Sequence, residues 1–427
     1  MKLKVDKGKT LLVDGPASIS ILSGSALVLG MKIKPGRTIV VKGGRRLPIE
    51  AVKSLVIEAQ IGEGGSLNEV EGSTIPQSWL EVAEKIISCE KPATVVVMGG
   101  VDSGKSSLCT YLVNIALEKG LKVGIVDADL GQSDVGPPTT IGFGVAEKQM
   151  SDLTGAKVLD AYFVGTTSPR GVVEEVLRGV KAMKFRAENM KLDLLIVNTD
   201  GWIDGAEAEK YKRSLVEVLD PKIIVGVQRE KELEHVLRSL SKWNVIQVEA
   251  PPMVKKRDRD RRKETRELAY RRYLQDAKIR AFPISWIKIE GETIKIGMPT
   301  PEERFKFICN ILGFKPKHCE ETNEALILIL DEKDEIEEEK IKKLEEAVGK
   351  KVEVLREGEE KGLMVSLYDA NRKFLGIGLI KTLDYKRRTI KIYTSVKDEI
   401  SIVKVGWVKV DEDGHELGFF PSKSAYP

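Results

Sequence analysis

The sequence predicts an α/β fold, a parallel sheet flanked by helices, with a small β domain before it and an α+β domain after it. Two observations support this prediction. Between residues 94 and 248, apolar runs rich in β-branched residues alternate with stretches of helical periodicity, as in a parallel sheet covered by helices. Before residue 75, short β-branched runs are closed by glycines and other turn residues. We therefore expect three domains, at 1–75, 76–284 and 285–427.

The composition is that of a folded protein with more than one domain. The chain has 427 residues, of which 31% are charged and 42% apolar, and its net charge is +4. This mildly basic balance permits a nucleic-acid partner without requiring one. No apolar run is long enough to span a membrane, and the first residues lack the apolar core of a signal peptide. We therefore expect no membrane partner and a cytoplasmic location.

Residues 1–75 are predicted to form a β-sandwich-like domain, because their short runs are spaced by turn signals rather than by helices. The polar, glycine-rich segment 62–76 is expected to be a linker or loop. A helical pattern over 78–87 then leads into the first apolar run of the central domain.

The segment 94–112 places a glycine-rich motif between a predicted strand and a predicted helix. Gly99, Gly104, Lys105 and Ser106 occupy the fixed positions of G-x-x-x-x-G-K-[ST]. Such a turn directs several backbone N–H groups at one point, and the helix dipole adds positive potential there. The sequence thus predicts a P-loop NTPase domain that binds a nucleoside triphosphate. The residues expected at the nucleotide are Gly99, Gly100, Val101, Asp102, Ser103, Gly104, Lys105, Ser106 and Ser107.

Acidic residues follow the second predicted strand of the central domain. Asp127 and Asp129 stand two residues apart, and Gln132 comes shortly after them. Because ligands of such sheets bind beyond the carboxyl ends of the strands, these carboxylates are candidates for holding Mg²⁺ and for accepting a proton. The alternative is a strand-end turn, in which aspartate is common for its backbone hydrogen bonds.

Two further loops are predicted at the same edge of the sheet. The first, 162–171, offers Thr167 and Ser168 as a second anion site, although Ser168 before Pro169 is equally typical of a helix N-cap. The second, 197–205, contains Trp202 in a glycine-flanked polar setting. That tryptophan would either stack on a nucleic-acid base or be partly buried for structural reasons.

An arginine-rich stretch, 251–274, follows the last predicted strand of the central domain. We interpret it as a lid that closes over the γ-phosphate and stabilises the charge on the transferring group. Two alternatives are a solvated helix with internal ion pairs and a grip on nucleic-acid phosphates. The basic residues of the stretch are Lys255, Lys256, Arg257, Arg259, Arg261, Arg262, Lys263, Arg266, Arg271 and Arg272.

Residues 285–427 are predicted to form an α+β or β-barrel-like domain without a catalytic cluster. The strictly alternating segment 287–299 is expected to form a strand pair, and 334–347 an acidic helix. The basic stretch 381–388 and Trp407 are compatible with RNA contact, and equally with a surface hairpin.

With these motifs placed, the chain resembles the polynucleotide 5′-hydroxyl kinases related to the kinase subunit of the eukaryotic mRNA 3′-end cleavage factor and tRNA-splicing endonuclease complexes. It looks like an archaeal type of that family. Three motifs support the resemblance beyond the phosphate loop, and the first of them is specific because P-loop proteins in general lack it. They are D-x-D-x-G-Q at Asp127, Asp129, Gly131 and Gln132, T-[ST]-P at Thr167, Ser168 and Pro169, and N-T-x-G-W at Asn198, Thr199, Gly201 and Trp202.

The resemblance implies a transfer of the γ-phosphate of ATP to the 5′-hydroxyl end of RNA, or of DNA, with RNA-processing proteins as further partners. ATP and Mg²⁺, or another divalent cation, would be bound with Ser106, Asp127 and Asp129 at the metal. Asp129 would deprotonate the hydroxyl, and the phosphoryl group would be stabilised by Lys105, Arg261, Arg262 and Arg266. The substrate would be held by Gln132, Thr167, Ser168 and Trp202.

Two other classes of function remain open at the sequence level. The chain would be an ATP-bound scaffold if nucleotide only locked its domains together for partner proteins. A nucleotide-switch or partitioning ATPase is the other class, but those proteins usually carry an extra lysine early in the phosphate loop. Val101 and Asp102 stand at that place here.

Overall fold

The structure is a computed structural model that describes residues 1–254, 257–331 and 333–420. The chain forms two compact units, one ending at Ala269 and the other beginning at Tyr270. Lys255 and Lys256 of the predicted lid lie outside the described residues. No helix among those residues is long and apolar enough to cross a bilayer.

The first unit begins with a seven-stranded sheet in which every pairing is antiparallel. Two strands, the third and the sixth, are long, and each pairs at its two ends with different short strands, which bends the sheet over its own core. The strands are β1 (Lys2–Val5), β2 (Lys9–Asp14), β3 (Ala17–Val28), β4 (Met31–Ile33), β5 (Thr38–Val41), β6 (Arg46–Ile61) and β7 (Ser66–Glu71).

The expectation of a linker or loop over 62–76 is wrong for its middle part. This segment contains β7, which pairs along its length with β2. The strand lies at an edge of the sheet and only Leu67 and Val70 are partly covered, so its sequence is polar and lacks the apolar signal of a central strand.

The rest of the first unit is a seven-stranded sheet with helices on both faces. Its strands are β8 (Ala93–Gly99), β9 (Val123–Ala128), β10 (Thr140–Ala146), β11 (Lys157–Phe163), β12 (Leu194–Thr199), β13 (Ile223–Gln228) and β14 (Val245–Glu249). Its helices are α1 (Gln77–Ser88), α2 (Lys105–Glu118), α3 (Val173–Glu188), α4 (Gly205–Leu219), α5 (Glu234–Ser239) and α6 (Arg259–Tyr273), the last of which continues into the second unit.

The strand order is β11-β10-β9-β12-β8-β13-β14. The five strands from β9 to β14 in this order are parallel, which confirms the predicted fold class. The other two form an antiparallel hairpin that the sequence analysis did not predict. Its first strand contains Gly142 and Gly144, which are typical of turns. Gly142 is required here because a Cβ would lie 1.5 Å from the carbonyl oxygen of Val135.

Alternate residues of β8 face opposite sides of the sheet and join two different cores. Val95 and Val97 pack with α2 and with the apolar face of the N-terminal sheet. Val96 and Met98 pack with residues of α3, α4 and the segment around α5. The phosphate-loop motif therefore begins at the end of a strand that is buried on both faces.

The second unit contains a seven-stranded sheet, and a four-stranded sheet covered by two helices. The first sheet consists of β15 (Lys278–Pro283), β16 (Lys288–Glu290), β21 (Leu363–Tyr368), β22 (Phe374–Asp384), β23 (Thr389–Thr394), β24 (Ile402–Val410) and β25 (Glu416–Phe419). The second consists of β17 (Met298–Pro299), β18 (His318–Glu321), β19 (Ala325–Leu330) and β20 (Lys351–Arg356), with α7 (Glu302–Leu312) and α8 (Glu338–Val348).

The predicted strand pair over 287–299 is wrong, because β16 pairs with β24 in one sheet and β17 with β18 in the other. The alternating segment thus belongs to the edge strands of two separate sheets rather than to one hairpin. The basic stretch 381–388 lies at the end of β22 and in the turn to β23, which pairs with it, so the stretch belongs to a hairpin.

Candidate active site

The glycine-rich loop connects β8 to α2 and bends sharply at two points. Asp102 has φ 53° and Gly104, the residue before α2, has φ 97°. A Cβ at Gly104 would lie 3.1 Å from Cδ of Pro251, so a side chain here is opposed by both conformation and space. The loop thereby brings its backbone amides together at the start of α2, as a phosphate site requires.

Lys105, the first residue of α2, lies back against its own loop. Its Nζ donates a hydrogen bond of 2.7 Å to the carbonyl oxygen of Gly100, and the residue is buried. Burial lowers the pKa of Lys105, an effect that the negative charge of Asp129 opposes. A bound anion would restore the stability of the charged amine and give it a new partner.

Asp127, in β9, is fully buried and accepts hydrogen bonds at both carboxylate oxygens. Its Oδ2 accepts from the amides of Asp134 at 2.6 Å and Val135 at 3.2 Å. Its Oδ1 accepts from the amide of Asp129 at 3.3 Å and from Asn198 Nδ2 at 3.0 Å. Burial, helped by the charges of Asp134 and Asp129, raises the pKa of Asp127 to about 7. This carboxylate therefore shapes the loop that follows β9.

Asn198 connects Asp127 to the phosphate loop. It is paired with Asp127 across β12 and β9, and its Nδ2 also donates to the hydroxyl of Ser106 at 3.3 Å. The side-chain amide of Asn198, in β12, thus connects the carboxylate of Asp127, in β9, to the Ser106 hydroxyl that is predicted to bind the metal. Because Asn198 is also fully buried, its position is fixed by the sheet.

Asp129 leaves the sheet just after β9 and has one carboxylate oxygen engaged. Its Oδ1 accepts from the amides of Gly131 at 3.1 Å and Gln132 at 3.0 Å. Its Oδ2 accepts no hydrogen bond from any residue that the structure describes. Burial raises the pKa of Asp129, and the positive charge of Lys105 opposes that rise in part. The geometry is that of an oriented carboxylate with one oxygen left for a substrate proton or a metal ion.

The segment before α6 contacts both the phosphate loop and the acidic loop, which is the stretch 127–135 at and after the end of β9. The amide of Arg257 donates to Asp102 Oδ2 at 2.9 Å and its Nε to Asp102 Oδ1 at 3.1 Å. Its Nη1 donates to Gln132 Oε1 at 3.2 Å, while Gln132 Nε2 donates to the carbonyl oxygen of Arg262 at 3.1 Å. The Arg-rich segment is thereby held over the edge of the sheet by Asp102 and Gln132.

The loop 162–171 lies against the acidic loop. A Cβ at Gly131 would be 2.9 Å from the carbonyl oxygen of Thr167, so the two loops are in direct contact. The N-cap alternative for Ser168 is wrong, because α3 begins at Val173 and its N-cap residue is Val172. Ser168 Oγ instead accepts from the amide of Arg170 at 3.3 Å. The hydroxyls of Thr166 and Ser168 thus accept from backbone amides two residues further along, in local turns.

Trp202 is partly buried and lies beside two side chains. Its ring stacks on that of Tyr211 with centroids 5.6 Å apart, and the guanidinium of Arg170 lies 5.2 Å from its ring centroid. Its Nε1 is buried and has no hydrogen-bond partner in the part of the chain that the structure describes. The ring is thus packed against protein side chains, as the structural alternative expects, and its stacking on a base stays a prediction.

Between the N-terminal sheet and the first turns of α2 lies a small pocket of about 40 Å³. Arg45 forms an ion pair with Asp134 there, which ties the N-terminal sheet to the acidic loop. The pocket is lined in part by Lys42, Arg45, Ser106, Ser107, Thr110 and Asp134.

Comparison with known proteins places the chain. Residues 99–276 match the family described as mRNA cleavage and polyadenylation factor CLP1 P-loop. The polyribonucleotide 5′-hydroxyl-kinase of Methanocaldococcus jannaschii is 30% identical over 356 residues, which cover 82% of this chain and 96% of that protein. The chain belongs to the polyribonucleotide 5′-hydroxyl-kinase family. The enzyme of the same name from Thermococcus kodakarensis is 29% identical over 347 residues, covering 81% of this chain and 95% of that one.

The fold of this polyribonucleotide 5′-hydroxyl-kinase family member has a solved counterpart. The wild-type Clp1p–Pcf11p complex contains a chain that matches with a TM-score of 0.65 at 13% identity, covering 95% of this chain and 97% of that one. At this identity the likeness confirms the fold alone.

Two site residues of this family member were missed by sequence reasoning. Asn198 was noted only as part of a motif, yet it is the residue that joins Asp127 to Ser106. Arg257 was counted in the lid but not chosen, yet it contacts Asp102 and Gln132 directly. Its position just before the predicted helix could have indicated this role. A residue there can donate its free backbone amide as well as its side chain.

The chosen lid arginines lie further along α6. The amide of Arg261 donates to Asp258 Oδ1 at 2.8 Å, and Arg262 Nε donates to the carbonyl oxygen of Asp258 at 3.2 Å. Arg266 follows one turn later on the same helix. Their roles at the phosphoryl group stay predictions.

Proposed function

We propose that this chain transfers the γ-phosphate of ATP to the 5′-hydroxyl end of RNA, with Asp129 as the base. The observation that supports it most is the arrangement of Asp129, whose Oδ1 is fixed by two amides while Oδ2 is left for a partner. A scaffold that only binds nucleotide would need no such group. Membership of the polyribonucleotide 5′-hydroxyl-kinase family supports the same reaction.

The donor would be bound by the loop Gly99–Ser107. Its amides would surround the phosphates, and Lys105 would exchange the carbonyl oxygen of Gly100 for the β- and γ-phosphate oxygens. The donor set for Mg²⁺ fits, since Ser106 offers a hydroxyl and the carboxylate of Asp129 would hold the ion through water, which leaves its Oδ2 for the proton of the acceptor. Asp127 would act behind them through Asn198. When bound, Mg²⁺ or another divalent cation supplies positive charge to the phosphate oxygens.

The acceptor would enter from the side of the loops 127–135, 162–171 and 199–204. Asp129 would take the proton of the 5′-hydroxyl, and its raised pKa makes it a stronger base than an ordinary aspartate. Gln132, Thr167 and Ser168 would hold the first phosphate of the chain. Trp202 would provide an aromatic surface for the terminal base.

The Arg-rich segment would close over the transferring group. Arg257 already lies against Asp102 of the phosphate loop, and Arg261, Arg262 and Arg266 follow it along the lid. Phosphoryl transfer needs positioning and charge neutralisation rather than covalent chemistry, so a row of guanidinium groups suits it.

The test is transfer of label from γ-labelled ATP to an oligoribonucleotide with a 5′-hydroxyl end. We expect transfer by the wild-type chain and its loss, by about 10³-fold or more, in Asp129→Asn and Lys105→Ala. The matched control is Asp160→Asn, an aspartate on β11 that pairs with Arg186 away from the loops. Near-normal transfer by Asp129→Asn would contradict the assigned base, and ATP binding without any transfer would favour the scaffold.

A further inference from the structure

Under the loop 199–204 lies a lysine for which the mechanism above has no use. Lys212, on α4, is fully buried, and its Nζ donates to Asp200 Oδ2 and to the carbonyl oxygen of Asp200, both at 2.9 Å. Lysine is rarely buried in this way unless it is paired, because removing its charge from water is costly. The position would otherwise suit an apolar residue of the core between α4 and the sheet.

The partner of this lysine distributes its contacts over the loop. Asp200 is the first residue after β12, and its Oδ2 also accepts from the hydroxyl of Tyr211 at 2.7 Å. Its other oxygen, Oδ1, accepts from the backbone amide of Trp202 at 2.9 Å. The carboxylate therefore holds the backbone of Trp202 on one side while Lys212 and Tyr211 hold the carboxylate on the other.

The ring of Trp202 is held by the same group of residues. Tyr211 stacks on it at 5.6 Å with an angle of 21° between the rings, so the residue that fixes Asp200 also supports the indole. The indole Nε1 makes no hydrogen bond to any described residue, so the side chain is oriented by the Tyr211 ring, by the guanidinium of Arg170 and by the backbone contact to Asp200. Removing Lys212 would loosen Asp200, which holds both the amide of Trp202 and the hydroxyl of Tyr211.

The loop is also in contact with the phosphate loop. A Cβ at Gly201 would lie 2.6 Å from Cγ2 and 2.8 Å from the amide nitrogen of Val101, so the two backbones touch. The place of the indole relative to the phosphate site is therefore defined within one packed group. An acceptor that stacks on a displaced ring would present its hydroxyl at the wrong place.

We propose that Lys212, acting through Asp200 and Tyr211, is a positioning residue that holds Trp202 as a rigid surface for the terminal base of the acceptor RNA. The proposal rests on the proposed function, since it takes the indole as a substrate contact. It assigns a specificity role to a buried ion pair that touches neither nucleotide nor RNA.

The test is the variant Lys212→Met, which keeps the length of the side chain and removes its charge. We expect the KM for a short 5′-hydroxyl oligoribonucleotide to rise about tenfold, as for the loss of one base stack. Because the charge of Lys212 also lowers the pKa of Asp129, the kinetics are compared at a pH above the acid limb of both proteins. There the KM for ATP and the kcat at saturating oligonucleotide are expected to stay within about threefold. A second readout is acrylamide quenching of Trp202, taken as the difference between each protein and its Trp202→Phe derivative. We expect this quenching to increase in Lys212→Met.

Two further variants keep the test decisive. Tyr211→Phe keeps the stacked ring and removes one hydrogen bond, and it is expected to raise the oligonucleotide KM about threefold even if Lys212→Met folds poorly. Adding Asp200→Asn to Lys212→Met removes the unpaired buried charge, and it should recover part of the oligonucleotide KM.

Lys350→Met is the matched control in the second unit, because it makes the same change in another lysine that pairs with a carboxylate. Lys350 Nζ donates to Glu321 Oε2 at 3.0 Å and to the carbonyl oxygen of Thr322 at 2.8 Å, so its loss should lower stability without changing the oligonucleotide KM.

The outcomes separate this inference from the proposed function. An unchanged oligonucleotide KM and unchanged quenching in Lys212→Met and Tyr211→Phe would overturn the positioning role while leaving the kinase intact. An equal rise of the oligonucleotide KM in Lys350→Met would also overturn it, since general destabilisation would then suffice. Absence of transfer by the wild-type chain would refute the proposed function, and quenching would still report whether Lys212 orders the indole.

Discussion

At the residue scale, the site depends on a few buried polar groups that serve two partners each. Asn198 Nδ2 donates to both Asp127 and Ser106, so the two hydrogens of one amide connect two strands and the phosphate loop. A serine or aspartate could not donate to both. This double use explains why an asparagine is buried near the carboxyl end of β12, after four apolar residues.

The protonation of Asp129 gives a prediction at this scale. Burial raises its pKa above that of an ordinary aspartate, and the base form is the carboxylate, so activity should be lost as pH falls through the raised pKa. We expect the acid limb of kcat/KM for the oligonucleotide to lie above about pH 4, the usual range of aspartate. The measurement is a pH profile of kcat/KM with ATP and metal saturating.

The control for this profile is binding of an ATP analogue over the same pH range, which should not follow the same limb. An acid limb at or below the ordinary pKa of aspartate would contradict the assignment of Asp129 as a base in a buried setting. If binding of the ATP analogue were lost over the same pH range as kcat/KM, the titrating group would belong to the ATP site instead.

At the element scale, the lid segment is held to the site by its beginning. Arg257 gives a backbone amide and two side-chain donors to Asp102 and Gln132 before α6 starts. The helix itself is strongly polar, and of its residues only Tyr270 is buried. A helix with so little apolar contact depends on its ends for position, which makes Arg257 the natural anchor.

Arg257→Ala is therefore expected to lower kcat/KM for phosphoryl transfer by about 10- to 100-fold, because the lid loses its contact with the phosphate loop. Steady-state kinetics with the oligonucleotide acceptor would measure the change. Arg259→Ala serves as the matched control, since this arginine is exposed at the first position of α6, and it should change kcat/KM by less than about threefold. Equal losses in the two variants would show that only total lid charge matters.

At the scale of the whole molecule, the sequence predicted the parallel core and the phosphate loop because both depend on short contiguous patterns. Gly99–Ser106 and the apolar runs at 122–127 and 222–227 could be interpreted locally. The antiparallel hairpin of β10 and β11 could not, since Gly142 is required by a contact with Val135 that is visible only after folding.

The same distinction holds within the site. Asp127, Asp129 and Trp202 stand in recognisable motifs, and the structure brings their loops to one edge of the sheet. The buried pair of Lys212 and Asp200 was missed because its members are twelve residues apart on a strand end and a helix. Charge on a helix is typical of a solvated face, and nothing local distinguishes a lysine that points inward.

The last prediction concerns the cooperativity of the first unit. Its N-terminal sheet shares a core with α2 and one face of the central sheet, and Asn114 joins them through hydrogen bonds. The buried Nδ2 of Asn114 donates to the carbonyl oxygens of Leu29 at 2.7 Å and Met150 at 2.8 Å, and its Oδ1 accepts from the amide of Met150 at 2.9 Å. Loss of this side chain leaves buried polar groups without partners.

Asn114→Ala should lower the free energy of unfolding by about 2–3 kcal/mol, as expected when a buried hydrogen-bonded group is removed. Asn189→Ala, which loses one exposed hydrogen bond to Phe185, should cost about 0.5 kcal/mol or less. Because the core is continuous, a bound ATP analogue should slow amide exchange in β3 and β6 as well as in β8 and β12. If neither the analogue nor Asn114→Ala changed the amide exchange rates of β3 and β6, this sheet would open independently of the phosphate site.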